Sequence, residues 1–235
     1  MGKFDQRCYD KEIMDDLEVG GEILKQTLRE LRTINRFLGG NHVTTSGLKI
    51  LLSKDKTREY TIADIGCGGG DMLRVMADWT LKHGIKCKFL GVDANEHTIG
   101  MAKANLKNYS NISFLTQNIF DKEFEKIKVD VVTCTLFTHH FNDEELIFLL
   151  RVFKKSASLG MVINDLHRHP LAYYSIRLLT ALFSRSPMVQ NDGPLSVLRG
   201  FTRKDIKRVL QKSGMGAFQI QWNWAFRWRV ICRFN

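Results

Sequence analysis

Apolar residues recur at threes and fours from residue 10 to residue 38: Ile13, Leu17, Ile23, Leu24, Leu28, Leu31, Ile34 and Phe37. That period predicts a helical segment, stopped by Gly39-Gly40. From residue 60 the pattern changes. Short apolar runs, Tyr60–Ile65, Cys87–Val92, Ile112–Thr116, Val129–Leu136 and Leu159–Asp165, alternate with helical stretches at Asp71–His83, His97–Asn108 and Asp143–Lys155. Strands separated by helices of this length predict a parallel sheet covered by helices. The rhythm breaks over 168–200, which reads as an insertion carrying an apolar helix, Pro170–Phe183. A helix over Thr202–Lys212 follows, with Thr202 and Asp205 spaced as a capping box. Two aromatic-rich strands near 216–223 and 226–234 close the chain as an antiparallel pair.

The chain of 235 residues is read as a single α/β domain in four parts. Residues 1–58 form an N-terminal helical cap and 59–167 the core. Residues 168–200 form a lid over the substrate, and 201–235 the late helix and closing hairpin. Apolar residues make up 44%, too many for a disordered chain. Five scattered cysteines without a C-x-x-C pair argue against a disulfide framework or a structural zinc site. Together with a start, Met1 to Gln6, that lacks a signal core, they place the chain in the reducing cytoplasm. Pro170–Phe183 is too short to span a bilayer.

The strongest chemical signal is Asp64-Ile65-Gly66-Cys67-Gly68-Gly69-Gly70-Asp71, which follows a strand and opens a helix. Such glycines allow a tight turn and close approach of a ligand to the backbone. Asp71 stands where a dinucleotide fingerprint needs glycine, and a carboxylate there repels a pyrophosphate. No G-K-[ST] follows, so a P-loop is excluded. Two carboxylates, Asp64 and Asp71, around a glycine turn suit a ligand with a cationic amine or sulfonium. Asp93, in Gly91-Val92-Asp93-Ala94, ends the second strand, where a carboxylate can accept both hydroxyls of a ribose.

These segments resemble the motifs of class I S-adenosylmethionine-dependent methyltransferases of the small-molecule, quinone- or polyketide-pathway type. The resemblance runs from about residue 60 to the C-terminus. It implies a Rossmann-like seven-stranded sheet of order 3-2-1-4-5-7-6, strand 7 antiparallel. It implies cofactor contacts from Asp64, Gly66, Cys67, Gly68, Gly70, Asp71, Asp93 and Ala94. Asn118 and Ile119 fall where such enzymes meet the adenine, and Cys134 lies in the fourth-strand motif. The cofactor is then S-adenosyl-L-methionine, with S-adenosyl-L-homocysteine as product.

Acceptor chemistry belongs beyond the carboxyl ends of strands 4 and 5. Histidines cluster there: His139 and His140 after strand 4, His167 and His169 after strand 5. His139, His140 and His167 are the candidate general bases, and no metal is expected. Arg168, His169, Tyr173, Arg177 and Arg199 are candidates for substrate binding. The expected acceptor is a small phenol, quinol or polyketide-like compound methylated on oxygen. A C-methyltransferase of the quinone type is the alternative, and a tRNA or nucleic-acid methyltransferase a more distant one. Charge refines this picture. The formal net charge is +10, and residues 141–235 hold 15 Lys+Arg against 6 Asp+Glu. The rest of the chain is nearly neutral, so the excess points to an anionic acceptor, a carrier protein or a membrane surface rather than a nucleic-acid coat, while the apolar helix Pro170–Phe183 suggests an apolar acceptor.

Overall fold

The computed structural model describes residues 2–52 and 57–234. Seven strands form one sheet: β1 (Glu59–Ile65), β2 (Lys86–Asp93), β3 (Ile112–Thr116), β4 (Val129–Thr135), β5 (Ala157–Leu166), β6 (Ala217–Asn223) and β7 (Arg227–Arg233). Their order is β3-β2-β1-β4-β5-β7-β6, with β7 antiparallel to both neighbours. The helices are α1 (Gly21–Phe37), α2 (Gly40–Leu51), α3 (Asp71–Lys82), α4 (Glu96–Asn105), α5 (Asp143–Ser156), α6 (Pro170–Phe183), α7 (Pro187–Arg199) and α8 (Arg203–Lys212).

Alternate strand residues serve opposite faces. Ile62, Phe89, Val131 and Val162 pack with Leu48 of α2 and Met72 and Met76 of α3. Ala63, Ile65, Val132 and Met161 pack with Leu146 and Leu149 of α5 and Ile206 and Val209 of α8. Parallel central strands buried on both faces explain their nearly continuous apolar runs. Two capping boxes start helices where the sequence places them: Asn142 with Glu145 on α5, and Thr202 with Asp205 on α8.

The N-terminal segment departs from the expected single helix. Residues 2–20 form an arm with one 3-10 turn at Ile13–Asp15, the helical period is realised only in α1, and a second helix, α2, begins where the glycine pair was expected to stop the run. Gly39 makes the break in the left-handed region, at φ 74°. α2 belongs to the core: a Cβ at Gly47 would lie 2.4 Å from Val162 Cγ1. The insertion holds two helices, α6 and α7. Half of α6 is bare, with Leu171, Tyr174, Leu178, Leu182 and Phe183 exposed. No helix among the described residues is long and apolar enough to cross a membrane.

Candidate active site

Two cavities meet above the carboxyl ends of the strands. The first, of about 520 Å³, is floored by the glycine turn and walled by the end of β2, the turn after β3, the arm and the turn after β4. Gly66 and Gly68 line it, as do Asp93, Ala94, Asn118 and Ile119. Gly66, at φ 68°, receives the ring of Phe137 2.1 Å from where a Cβ would stand, so side chains are excluded there twice over. Asp93 ties the turn together: its Oδ2 accepts from Gly68 N at 3.0 Å and its Oδ1 from Asn95 N at 3.0 Å. Burial raises its pKa, and those N–H donors oppose the rise. Each oxygen keeps acceptor capacity toward the cavity. Asn118 Oδ1 accepts from Phe120 N at 3.0 Å, so its own turn already engages the amide oxygen assigned to adenine.

Several residues of the same motifs lie behind this cavity rather than on its wall. Asp64 is buried on the α3 face and accepts from Thr133 Oγ1 at 2.7 Å. Burial pushes its carboxyl up to about 7. Asp71 is bridged to Arg74 at 3.2 Å and Arg32 at 3.5 Å, which docks α1 on the start of α3. Cys67 and Cys134 are buried, and burial raises both thiols. Gly70 packs against Leu106, whose Cδ1 lies 2.6 Å from a would-be Cβ. The sequence motif thus mixes wall residues with residues that shape the turn from behind, because alternate strand positions face opposite sides.

The second cavity, of about 340 Å³, falls within the roughly 300–1,000 Å³ range of small-molecule pockets. Its wall is mostly apolar, built by Leu31, Ile34, Ile176, Leu179, Val197 and Phe226 among others. Met14, Leu136 and His140 line both cavities and mark where they join. Leu136 holds φ 54° at the end of β4, an uncommon conformation for a branched residue.

His139 lines the second cavity, beside Glu12 of the arm. Its Nδ1 lies 2.7 Å from Asp165 Oδ1, and its Nε2 lies 3.6 Å from Glu12 Oε1. Asp165 also accepts from Thr138 Oγ1, His139 N and Leu166 N. Burial alone would raise this carboxyl, but the charge and hydrogen bond of His139, then Thr138 and Leu166, hold it well below the usual range. An ionised Asp165 fixes the proton of His139 on Nδ1 and leaves Nε2 free to accept one. His140 is oriented the same way, its Nδ1 2.5 Å from Asp15 Oδ1. Glu12 Oε1 is buried with no hydrogen-bond partner, and burial pushes its carboxyl up to about 7.

Of the other candidates, Arg199 lines the first cavity but points its guanidinium at the protein. It donates to the carbonyls of Asp10, His139 and His140 and to Asp15 Oδ2. Arg7 reinforces it from the arm, donating to His139 O and Phe141 O. Arg168 is corrected more strongly: it is buried and donates to Phe4 O, Gly200 O and Asp205 Oδ2, none of them in a cavity. His167 and His169 turn away from the second cavity. His167 packs on Trp228 at 4.9 Å, and burial lowers its pKa to about 4; His169 stacks on Phe226 and caps α6. Tyr173 accepts from Lys3 Nζ beneath the arm, and Arg177 is exposed. None of His167, His169, Tyr173 and Arg177 lines either cavity. The sequence reading missed Met14, Leu136, Glu12, Asp15 and Arg227. Glu12 and Asp15 stand in an acidic run, Asp10 to Glu18, which carried the one available signal.

Glu12, His139 and His140 each offer a ligand atom, all within 4.8 Å of one another. Two imidazoles and a carboxylate, each imidazole anchored by a further carboxylate, form a donor set suited to a transition metal. Arg199 Nε, 3.6 Å from Glu12 Oε1, competes with a cation for that carboxylate.

Residues 56–214 match the family model described as a methyltransferase domain. The chain belongs to that family and is a class I S-adenosylmethionine-dependent methyltransferase. Among solved structures it is similar to the plantazolicin methyltransferase BpumL in complex with SAH, at 16% identity and TM-score 0.67, covering 90% of each chain. It is also similar to human N-acetylserotonin methyltransferase in complex with SAM, at 18% identity and TM-score 0.65, covering 95% of this chain and 58% of that one. A SAM-dependent methyltransferase from Aquifex aeolicus aligns at 16% identity and TM-score 0.60, covering 89% and 97%. These likenesses concern the fold. No curated protein sequence matches the chain.

Proposed function

We propose that the chain methylates an oxygen of an apolar small molecule held in the second cavity, with His139 as the general base. The observation that carries this is the Asp165–His139 pair: Asp165 holds Nδ1, His139 lines the second cavity, and its neighbour His140 stands where the two cavities join. The first cavity has the residues the cofactor needs: Gly66 and Gly68 for close backbone approach, Asp93 for the ribose, and the turn at Asn118 and Ile119 for the base. When bound, S-adenosylmethionine supplies an electrophilic methyl group on its sulfonium. His139 Nε2 takes the proton of the acceptor hydroxyl, and Asp165 stabilises the imidazolium through Nδ1. Leu136, Met14 and His140 hold the acceptor oxygen at the junction, and alignment there lowers the barrier further. The apolar wall of the cavity supports a phenol, quinol or polyketide-like acceptor.

The test is a methyl-transfer screen with labelled cofactor against alkyl phenols, quinols and enols, using wild type and His139→Ala. Turnover of an apolar hydroxyl compound that the variant loses, with cofactor affinity kept, is the expected result. Turnover undiminished in His139→Ala would remove the base. The Glu12, His139 and His140 donor set supports a second reading in which a metal activates the hydroxyl. Dialysis against EDTA separates the two: activity kept throughout excludes the metal.

A further inference from the structure

Arg227 is the most conspicuous group that this mechanism leaves unused. It opens β7 inside the basic aromatic run Trp224 to Arg229, and its side chain turns inward to line the second cavity. It is 2% exposed, and its Nε and Nη1 have no hydrogen-bond partner. The carboxylate that acts on it, Asp165, is already engaged by His139, Thr138 and Leu166. Burial lowers its pKa to about 10, with Asp165 opposing, so it stays protonated at neutral pH. Gly40 makes room for the guanidinium: a Cβ there would lie 3.0 Å from Arg227 Cζ. Asn35 Oδ1 borders the same point without a partner of its own. A buried, unpaired cation is costly, and a ligand that brings the missing charge recovers that cost on binding. The guanidinium fork matches a planar delocalised oxyanion. The other cavity carboxylates do not serve it: Asp192 accepts from Ile13 N and Met14 N, and Glu12 lies beside Arg199.

We infer that Arg227 is a specificity-determining anion subsite, and that the acceptor is an amphiphilic acid whose carboxylate or enolate pairs with it while its apolar body fills the rest of the cavity. This rests on the acceptor reading of that cavity. It explains why a mostly apolar pocket contains an unmatched positive charge.

The experiment uses protein saturated with S-adenosylhomocysteine, whose binding is measured first. Three probes are then titrated by calorimetry: 2,4-dihydroxy-6-pentylbenzoate, 4-hydroxy-6-pentyl-2-pyrone and the neutral 5-pentylresorcinol. Wild type is expected to bind one or both anions at least about tenfold more tightly than the neutral probe. Arg227→Met should reduce that preference to less than about threefold, and Arg227→Lys should keep part of it. Benzoate and pyrone arms distinguish carboxylate from enolate. Arg227→Met should melt no lower than wild type, because an apolar group replaces an unpaired charge. Equal affinities in wild type, a preference surviving in Arg227→Met, no binding by any probe, or a clearly lower melting point for Arg227→Met would each overturn the subsite. Failure to bind S-adenosylhomocysteine would strike the cofactor placement instead. Anion preference without methyl transfer would leave the subsite standing and remove the O-methylation reading.

Discussion

The two cavities share a wall at Met14, Leu136 and His140 but rest on floors of different kinds. The first, lined in part by the arm, has a floor of short contiguous motifs at the ends of β1, β2 and β3, tied by hydrogen bonds such as Gly68 N to the Asp93 carboxylate. The acceptor cavity is assembled from the arm, α1, the turn after β4, α6, α7 and the hairpin, segments that are distant in sequence. The first binds through backbone geometry that few sequences can supply. The second presents side chains on a generic scaffold, where acceptors can change without loss of the fold.

That contrast can be broken experimentally. The largest effect is expected in the second cavity: His139→Ala should lower kcat about 10²–10⁴-fold while calorimetry finds cofactor affinity unchanged. A parallel loss of both would mean that His139 organises the cofactor side as well. Asp93→Ala should do the reverse, weakening cofactor binding at least about tenfold with acceptor specificity preserved. Glu12→Gln sharpens the comparison through pH. Glu12 titrates near 7 when folded against an ordinary value of 4.5. A carboxyl with a raised folded pKa binds protons more tightly in the native state. Its contribution to stability is full below about pH 4.5 and declines as pH rises through 7, by about 1–3 kcal/mol. Denaturant melts from pH 5 to 8 should therefore show a loss of stability in wild type that is smaller in Glu12→Gln; Asp64, also near 7, and His167, near 4 and of opposite sign, set the remaining slope in both proteins. The smallest effect belongs to the bare face of α6. Leu178→Glu should change stability by less than about 0.5 kcal/mol and leave turnover of soluble acceptors unchanged. Denaturant midpoints and steady-state rates check both.

Legibility followed the same division. The strands could be read because each is a contiguous run with its helix beside it, whereas their order came from the family resemblance alone. Asp93 could be read as a residue of the first cavity because it stands at a strand end beside the glycine turn. His139 and His140 were legible as a cluster, but nothing local separates His139, braced by Asp165 across two strands, from His167, which packs on Trp228. Arg168 and Arg199 looked available for a substrate because a lone basic residue in an insertion is normally solvated. Both instead donate to backbone carbonyls, one of which in each case, Phe4 O for Arg168 and Asp10 O for Arg199, is brought by residues 2–20 folding across the insertion.

By itself the sequence determined the alternation of strands and helices, the glycine turn, the carboxylate at the end of the second strand and the concentration of positive charge after strand 4. These are properties of short segments, set by period, turn geometry and spacing. Tertiary structure alone decided which charges face a cavity. It buried Asp64 and Arg168 in internal partnerships, brought Glu12 from the arm to the histidines, and turned Arg227 into the acceptor cavity. The physical reason is that burial and pairing set the energy of a charge, and partners among the described residues stand up to 192 residues apart, as Arg7 and the carbonyl of Arg199 do.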